Sequence, residues 1–376
     1  MNFLLKTSVV LNAKLPRSRG GTNRLLEKTL RIKAAIILVL NFLFIPGLLR
    51  GQVKPDYFPE DVDSNAGNAE IRCFCKPGVR DKSRSKGLEI SYGLIGKGHY
   101  MPEQDNFPPP FSAYTRWQNL EVDLKVPLVN LPGWKFLLGY RYIAESARFR
   151  VFGSDYRETF ETLDQKHLKS NTVSLLLSKI IDEKRYLILR LRNSANGNYS
   201  GLQFFNPRYN ILKAAAMFGV KRNEDFEWGV GLNFSSGFRN RFTLLPFILY
   251  NRNFNRKWGI ESAFPAFVFI RYNVTPRAIA LAGIEYSSHS YRLEVDAGQH
   301  TPYDYAYNHS EILASVRMER QIVPWVWAQV KVGYQYNLSS DFDAKNGISP
   351  AFQVEPTNAP FLNISLFLSP PEKMIK

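Results

Sequence analysis

Covalent chemistry at a protein side chain needs a hydroxyl or thiol held against a base, so the histidines come first. There are five: His99, His167, His289, His300 and His309. Most fall in expected loops or at strand ends. Ser288-His289-Ser290 is the one suggestive cluster, where a histidine beside serine could serve a rim lipase. Successive strand residues point to opposite faces, so these neighbours cannot simply touch, and the segment reads as a polar strand end entering a loop. Cys73-Phe74-Cys75 would close too small a ring for an unstrained disulfide and lacks the second ligand pair of a zinc site. No phosphate loop, metal-spaced His/Cys set or nucleophile elbow is present. The sequence predicts no enzyme, no metal and no cofactor. A larger polar set lies at alternate positions along the chain: Glu89, Glu121, Asp123, Lys125, Arg141, Arg190, Arg192, Lys213, Glu227, Glu261, Arg271, Glu285, Arg317, Glu319 and Lys331.

The elements that carry these charges alternate with a period of two, the mark of a strand with two unlike faces. Leu120, Val122, Leu124, Val126 and Leu128 share one face, and Glu121, Asp123 and Lys125 the other. After Asn130-Leu131-Pro132-Gly133, a turn signal, Trp134, Phe136, Leu138, Tyr140 and Tyr142 oppose Lys135, Gly139 and Arg141. Leu187, Leu189 and Leu191 oppose Arg190 and Arg192; Trp228, Val230, Leu232 and Phe234 oppose Glu227, Gly229, Gly231 and Asn233. Near the end, Val326, Ala328, Val330 and Val332 oppose Gln329 and Lys331, and Leu362, Ile364, Leu366 and Leu368 oppose Asn363 and Ser365.

A soluble sandwich alternates too. Three features favour a transmembrane antiparallel up-and-down β-barrel. Apolar faces end in aromatics such as Trp134, Tyr142, Trp228, Phe234, Tyr334 and Tyr336, where membrane girdles sit. Charges and glycines lie deep within the opposite faces. Short connections (LPGW, DEKR, NEDF, NRK, TPR, VPW) alternate with longer ones at 149–166, 193–208, 289–308 and 339–358. The pattern predicts about 14 strands between residues 88 and 369, an even number as bacterial barrels have. The split at Phe264-Pro265 is made because proline cannot donate to a ladder. Without it the alternative is about 12 strands. Closure follows because every backbone amide in lipid needs an internal partner. The fifteen charges then line a lumen. Their near balance of sign suggests an interior ion-pair network that fills the barrel, or else the lining of a selective conduit.

The mean hydropathy of −0.24 excludes a bundle of membrane helices but not a barrel. Residues 34–49, AAIILVLNFLFIPGLL, follow Arg24, Lys28, Arg31 and Lys33 and precede Gly51. This is a signal-peptide pattern, with cleavage placed between Gly51 and Gln52 and a permanent anchor as the alternative. The domain reading is 1–51 N-terminal extension and signal peptide, 52–86 periplasmic lead-in or small plug, 87–370 barrel, and 371–376 C-terminal tail. Of the formal charge of +16, residues 1–51 contribute nine Lys/Arg and one Glu, 9 − 1 = +8, leaving +8 for the rest. That charge is spread among strands, so nucleic acid is not an expected partner. The expected partners are outer-membrane lipid and lipopolysaccharide and the barrel-assembly machinery, with a monomer as default.

The block Trp258-Gly259-Ile260-Glu261-Ser262-Ala263-Phe264-Pro265-Ala266, continuing through Phe267 to Asn273, together with Ala278 to Tyr286 and Tyr291-Arg292-Leu293, resembles a family of uncharacterised outer-membrane β-barrels of Bacteroidota. The resemblance covers roughly 87–370 and implies barrel fold and outer-membrane location, with no catalytic residues. The expected role is therefore solute passage, passive or gated, or envelope structure. The alternatives are a hydrophobic-compound transporter with residues 52–86 as plug, where Tyr57, Phe58, Ile71 and Phe74 offer few apolar anchors, and a lipid-modifying enzyme using His289.

Overall fold

The computed structural model describes residues 77–102, 112–131, 133–151, 156–201, 203, 206–238, 242–295, 303–344 and 351–369. The expected signal segment, the lead-in up to residue 76 with Cys73 and Cys75, His300, and the tail 371–376 lie outside the described residues. Among the described residues no helix is long and apolar enough to cross a membrane.

The strands are β1 (Leu88–Ile95), β2 (Gly98–Pro102), β3 (Ser112–Leu131), β4 (Trp134–Val151), β5 (Leu168–Ile180), β6 (Arg185–Gly197), β7 (Asn210–Asn223), β8 (Phe226–Ser236), β9 (Phe242–Asn253), β10 (Trp258–Phe264), β11 (Phe267–Thr275), β12 (Ala278–Val295), β13 (Tyr303–Val323), β14 (Val326–Ala344), β15 (Phe352–Pro356) and β16 (Ala359–Leu368); one helix, α1 (Arg157–Gln165), lies between β4 and β5. Sequential strands pair antiparallel, and β1 joins β16 to close the ring. β1 and β2 both pair with β3, and β15 and β16 both pair with β14, so each couple is one interrupted course of the wall. Counted so, the wall is a closed antiparallel barrel of 14 strands. The hairpin at 264–267 is real: β10 and β11 pair across Pro265 and Ala266, and the Phe264–Pro265 peptide is cis. The twelve-strand alternative therefore falls away.

Local chemistry sets the hairpins at one end of the barrel, called here the turn end. Asn255 Oδ1 accepts the amides of Lys257 and Trp258 at 2.8 Å each, and Asp182 Oδ1 those of Lys184 at 2.9 Å and Arg185 at 2.8 Å. These are side-chain turns of the kind asparagine and aspartate favour. Gly133 holds φ 80°, a conformation that suits glycine.

The opposite, loop end departs from the sequence reading. The stretches expected as loops at 289–308 and 339–358 are mostly strand, with β12 running to Val295, β13 beginning at Tyr303, β14 running to Ala344 and β15 inserted after it. The stretch 149–166 holds α1, and β6 runs to Gly197. Polarity misled the reading because the outward residues here, such as Arg292 and Glu294, no longer face an apolar medium.

Two further features shape this end. Gly197 of β6 forms a parallel bridge to Arg292 of β12. Asn198 extends it, accepting the Glu294 amide at 3.0 Å and donating to the Glu294 carbonyl at 2.8 Å. Around the loop end a smaller ring therefore runs β12–β13–β14–β15–β2–β3–β4–β5–β6 and back to β12. The strands β7–β11 stand outside this neck. Within them β10 and β11 are short, with 7 and 9 residues. β9 pairs with β10 only from Ile248 onward, so residues 242–247 have no strand partner on that side among the described residues.

Candidate functional site

Neighbouring partners in the ladder share a face, so the register assigns each charge. Glu89 pairs with Asp123, and Asp123 with Arg141. Arg192 pairs with Lys213, Arg271 with Leu281, Leu281 with Arg317, and Arg317 with Lys331. All fifteen charged residues named from the sequence lie on the face opposite the exposed apolar residues such as Leu124, Leu191, Val230 and Ile364. The register does not spread them evenly.

At the turn end, β8, β10 and β11 bring together Glu227, Glu261 and Arg271. Arg271 is 0% exposed. Its Nη1 donates to Glu261 Oε1 at 2.9 Å, and its Nη2 to Asn253 Oδ1. Glu227 accepts from Tyr186 Oη at 3.1 Å and Asn251 Nδ2 at 2.5 Å. The segment 77–87 lies across these groups. The Gly78 amide donates to Glu227, the Ser83 amide donates to Glu261 Oε1 at 2.8 Å, and Ser83 Oγ donates to Glu261 Oε2 at 2.5 Å. Lys86 Nζ donates to Glu89 Oε1 at 2.7 Å and Gln329 Oε1 at 2.8 Å, and stands 4.7 Å from the Phe367 ring. Arg84 stands 5.2 Å from the Trp327 ring. The segment thus reaches from β8 to β16 across the turn-end mouth. In the turn before β8, Asp225 accepts from Asn253 at 3.0 Å and pairs with Arg80 at 2.6 Å; these two bonds hold its carboxyl below the ordinary carboxylate range.

Further up the wall the charges segregate. Asp123 pairs with Arg141 at 2.8 Å and Lys125 at 3.1 Å, Glu121 with Arg141 at 3.1 Å, and Glu285 with Lys331 and, at 3.5 Å, with Arg317. Glu319 is 0% exposed, neither of its oxygens has a hydrogen-bond partner among the described residues, and Arg317 Nη1 stands 3.9 Å away. Arg190, Arg192 and Lys213 take part in none of these ion pairs. Registry between strands, which the sequence does not encode locally, thus groups acids with some cations and leaves others apart.

The wall below those three cations is apolar. Tyr186 and Met217 pack with Ile180, Ile188, Phe247 and Leu249. Glycine makes this possible: a Cβ at Gly219 would lie 2.1 Å from the Tyr186 ring, and one at Gly231 would lie 2.4 Å from that of Phe247. The rings fold flat against bare backbone. Alternation alone places such glycines on the lumen face and carries no sign that aromatics lie on them.

The loop end is filled. Tyr100, Tyr114, Trp117, Phe149, Phe160, Leu163, Tyr291, Leu293, Tyr305, Tyr307, Phe342 and Phe352 form one buried cluster inside the neck. α1 contributes Phe160 and Leu163, three residues apart on one helical face. Sequence reasoning missed this roof. Its signal was present in Tyr291, Leu293 and Val295 alternating with Arg292 and Glu294, the reverse of the lower wall's polarity. Beneath the roof is a cavity of about 70 Å³ lined by Asn119, Glu145, His289, His309, Glu311 and Gln335 among others. His309 Nδ1 lies 2.8 Å from Ser340 Oγ, and its Nε2 lies 3.0 Å from Glu311 Oε2. His289 Nε2 lies 2.8 Å from Ser287 Oγ, on the same face, while Ser288 and Ser290 belong to the other. Tyr291 Oη donates to Glu145 at 2.7 Å. These contacts have hydrolase-like types, but they are enclosed under packed rings in a space too small for a lipid chain. No group of three or more metal-ligating side chains occurs among the described residues.

No curated protein matches the chain significantly. Among solved structures it is similar to an outer membrane channel from Pseudomonas putida F1 (11% identity, 78% of this chain and 99% of that one, TM-score 0.38). It is also similar to the P. putida toluene transporter TodX (8% identity, 76% and 90%, TM-score 0.32) and to a bacterial polysaccharide outer membrane secretin (10% identity, 75% and 98%, TM-score 0.30). At such identities the likeness is one of barrel architecture. A family model for a domain of unknown function, DUF6268, matches residues 154–370. That stretch covers more than half of the 376 residues, and the chain belongs to this family.

Proposed function

We propose that this barrel resides in an outer membrane and passes a small amphipathic solute, and that the form described here is shut. The observation that carries the reading is the two-faced inner wall: paired charges on β3, β4, β12 and β14 oppose an apolar patch of Tyr186, Ile188, Met217, Phe247 and Leu249. A water-filled pore has no use for the second face, and a packed structural barrel has no use for unpaired cations beside it. An apolar exterior between aromatic rims (Trp134, Trp228, Trp258 and Trp325 at the turn end; Tyr92, Phe234 and Phe242 at the other) fits a bilayer. With the turn end toward the periplasm, residues 77–86 are the plug and the aromatic roof with α1 is the outer closure.

The test is conductance and solute flux of the refolded barrel in lipid bilayers. The intact protein should be nearly silent. Weakening of the plug contacts (Arg80→Ala with Ser83→Ala and Lys86→Ala) combined with Phe160→Ala in the roof should give steady ion conduction and release of an entrapped alkyl carboxylate. A doubly loosened barrel that is folded and inserted yet passes neither ions nor solute would sink the reading.

A further inference from the structure

Five inward cations on the charged half of the wall have an acid. Lys125 and Arg141 have Asp123, Arg271 has Glu261, and Arg317 and Lys331 have Glu285. Three others do not. Arg190 and Arg192 on β6 and Lys213 on β7 form no ion pair among the described residues, and Arg190 Nε is buried without a hydrogen-bond partner. The register makes them a group: Arg192 stands opposite Lys213, and Arg190 opposite Ala215 one inward position nearer the turn end. Like charges so placed repel, and partial burial removes the water that would screen them. Asp123 offsets this only at a distance, without an ion pair to any of the three among the described residues.

The residues around the group are equally specific. On its loop side lie hydroxyls that satisfy one another, Ser194 Oγ and Thr172 Oγ1 at 2.8 Å. On its turn side the next inward positions are Ile188 and Met217, paired with each other, and then Tyr186 over Gly219. From Arg190 to Tyr186 is four residues of strand, about 13 Å of apolar wall at roughly 3.3 Å per residue. Below that, the carboxylates of Glu227 and Glu261 are already taken.

We propose that Arg190, Arg192 and Lys213 are the docking point for the oxyanion head of an amphipathic anion whose apolar tail lies along Ile188, Met217, Phe247 and Leu249. Two guanidinium forks and an ammonium suit a carboxylate or a phosphate head alike. The wall beneath sets the need for a tail. The inference names the solute class for the passage proposed above, and it rests on that reading for its purpose but not for its test.

The experiment is calorimetric titration of the refolded protein, held in a neutral detergent, with octanoate, octyl phosphate, octan-1-ol and inorganic phosphate. At least one of the two tailed anions should bind, and the stronger of them identifies the head. Octan-1-ol and inorganic phosphate should bind about tenfold more weakly or worse. Arg190→Gln with Arg192→Gln should weaken the tailed anion by about tenfold or more, and Met217→Ser should weaken it less, without creating affinity for inorganic phosphate. Should the double variant fail to fold, Lys213→Gln and the salt dependence of the unaltered protein serve instead, with affinity expected to fall as salt rises. Equal binding of octan-1-ol and octanoate, or affinity indifferent to both salt and these substitutions, overturns the inference. A barrel that binds the anion but never passes it keeps this site and loses the passage reading. One that passes the anion with the three cations neutralised does the reverse.

Discussion

Arg271 is the residue on which most of the turn-end chemistry converges. Its guanidinium is fully enclosed and joins β10, β11 and β9 through Glu261 and Asn253. Removing one member of a buried pair strands the other, at a cost of about 3–5 kcal/mol. Arg271→Ala should therefore lower the unfolding free energy by that much, read as a lower urea midpoint at unchanged slope, whereas Arg271→Ala with Glu261→Ala should cost less than the sum of the single changes in a double-mutant cycle. Additive losses would mean that the pair does not act as a unit. The sequence made such charges visible one at a time, because Glu261 and Arg271 each alternate with apolar neighbours. It could not say that Glu261 would meet Arg271 while Arg190 met no acid, because partner choice depends on register between strands. The same holds for His289: alternation separates it from Ser288 and Ser290, and the hydroxyl beside it belongs to Ser287, two residues away.

At the scale of elements, α1 is the piece least legible in the sequence. Its nine residues, RETFETLDQ, bring only Phe160 and Leu163 to the roof, and nothing in so short a polar run distinguishes a helix from a loop. Tertiary packing supplies what propensity does not. Phe160 touches Tyr100, Phe149 and Phe342, with ring centroids 5.9, 5.5 and 6.4 Å away. Phe160→Ala should cost about 3–5 kcal/mol locally. The expected result is faster proteolytic cleavage after Arg157 and Lys166 with the barrel still folded, and unchanged cleavage would place the roof's strength elsewhere. The strands were far more legible, since their period of two survives wherever one face meets apolar surroundings. It persists with reversed polarity in the outer parts of β12 and β13, where the apolar residues turn inward and the segment resembles a polar loop.

The closed barrel follows from the full set of alternating segments, including the hairpin at Pro265. Closure, however, is unequal around the wall. The Asn253 amide points to the β7–β8 turn, so in β9 odd residues bond toward β8 and even residues toward β10. Above Ile248 the even residues have no partner strand among the described residues. Proline stands at 246, where a donor would be unmet, and Phe242 and Leu244 are 68% and 64% exposed. Hydrogen exchange resolved by NMR should find the Leu244 amide fast and the Leu245 amide slow. Equal protection would mean that the notch is covered. A free edge of this kind can pair with another strand, so it is the place on the described wall where a second chain would add.

The bridge between β6 and β12 also has a consequence in time. Asn198 and Glu294 lie 96 residues apart in the chain. Joining two points so distant costs on the order of 4 kcal/mol in loop entropy before any contact repays it. The hairpins of β7–β11 each close over a few residues and can form first, shortening that path. The neck is then among the last parts of the barrel to form. Until it does, the loop end stays wide enough to admit α1, and once it has formed the helix is locked inside. Assembly thus has an order built into its geometry: panel, then helix, then neck. A chain whose neck forms early would leave its own stopper outside.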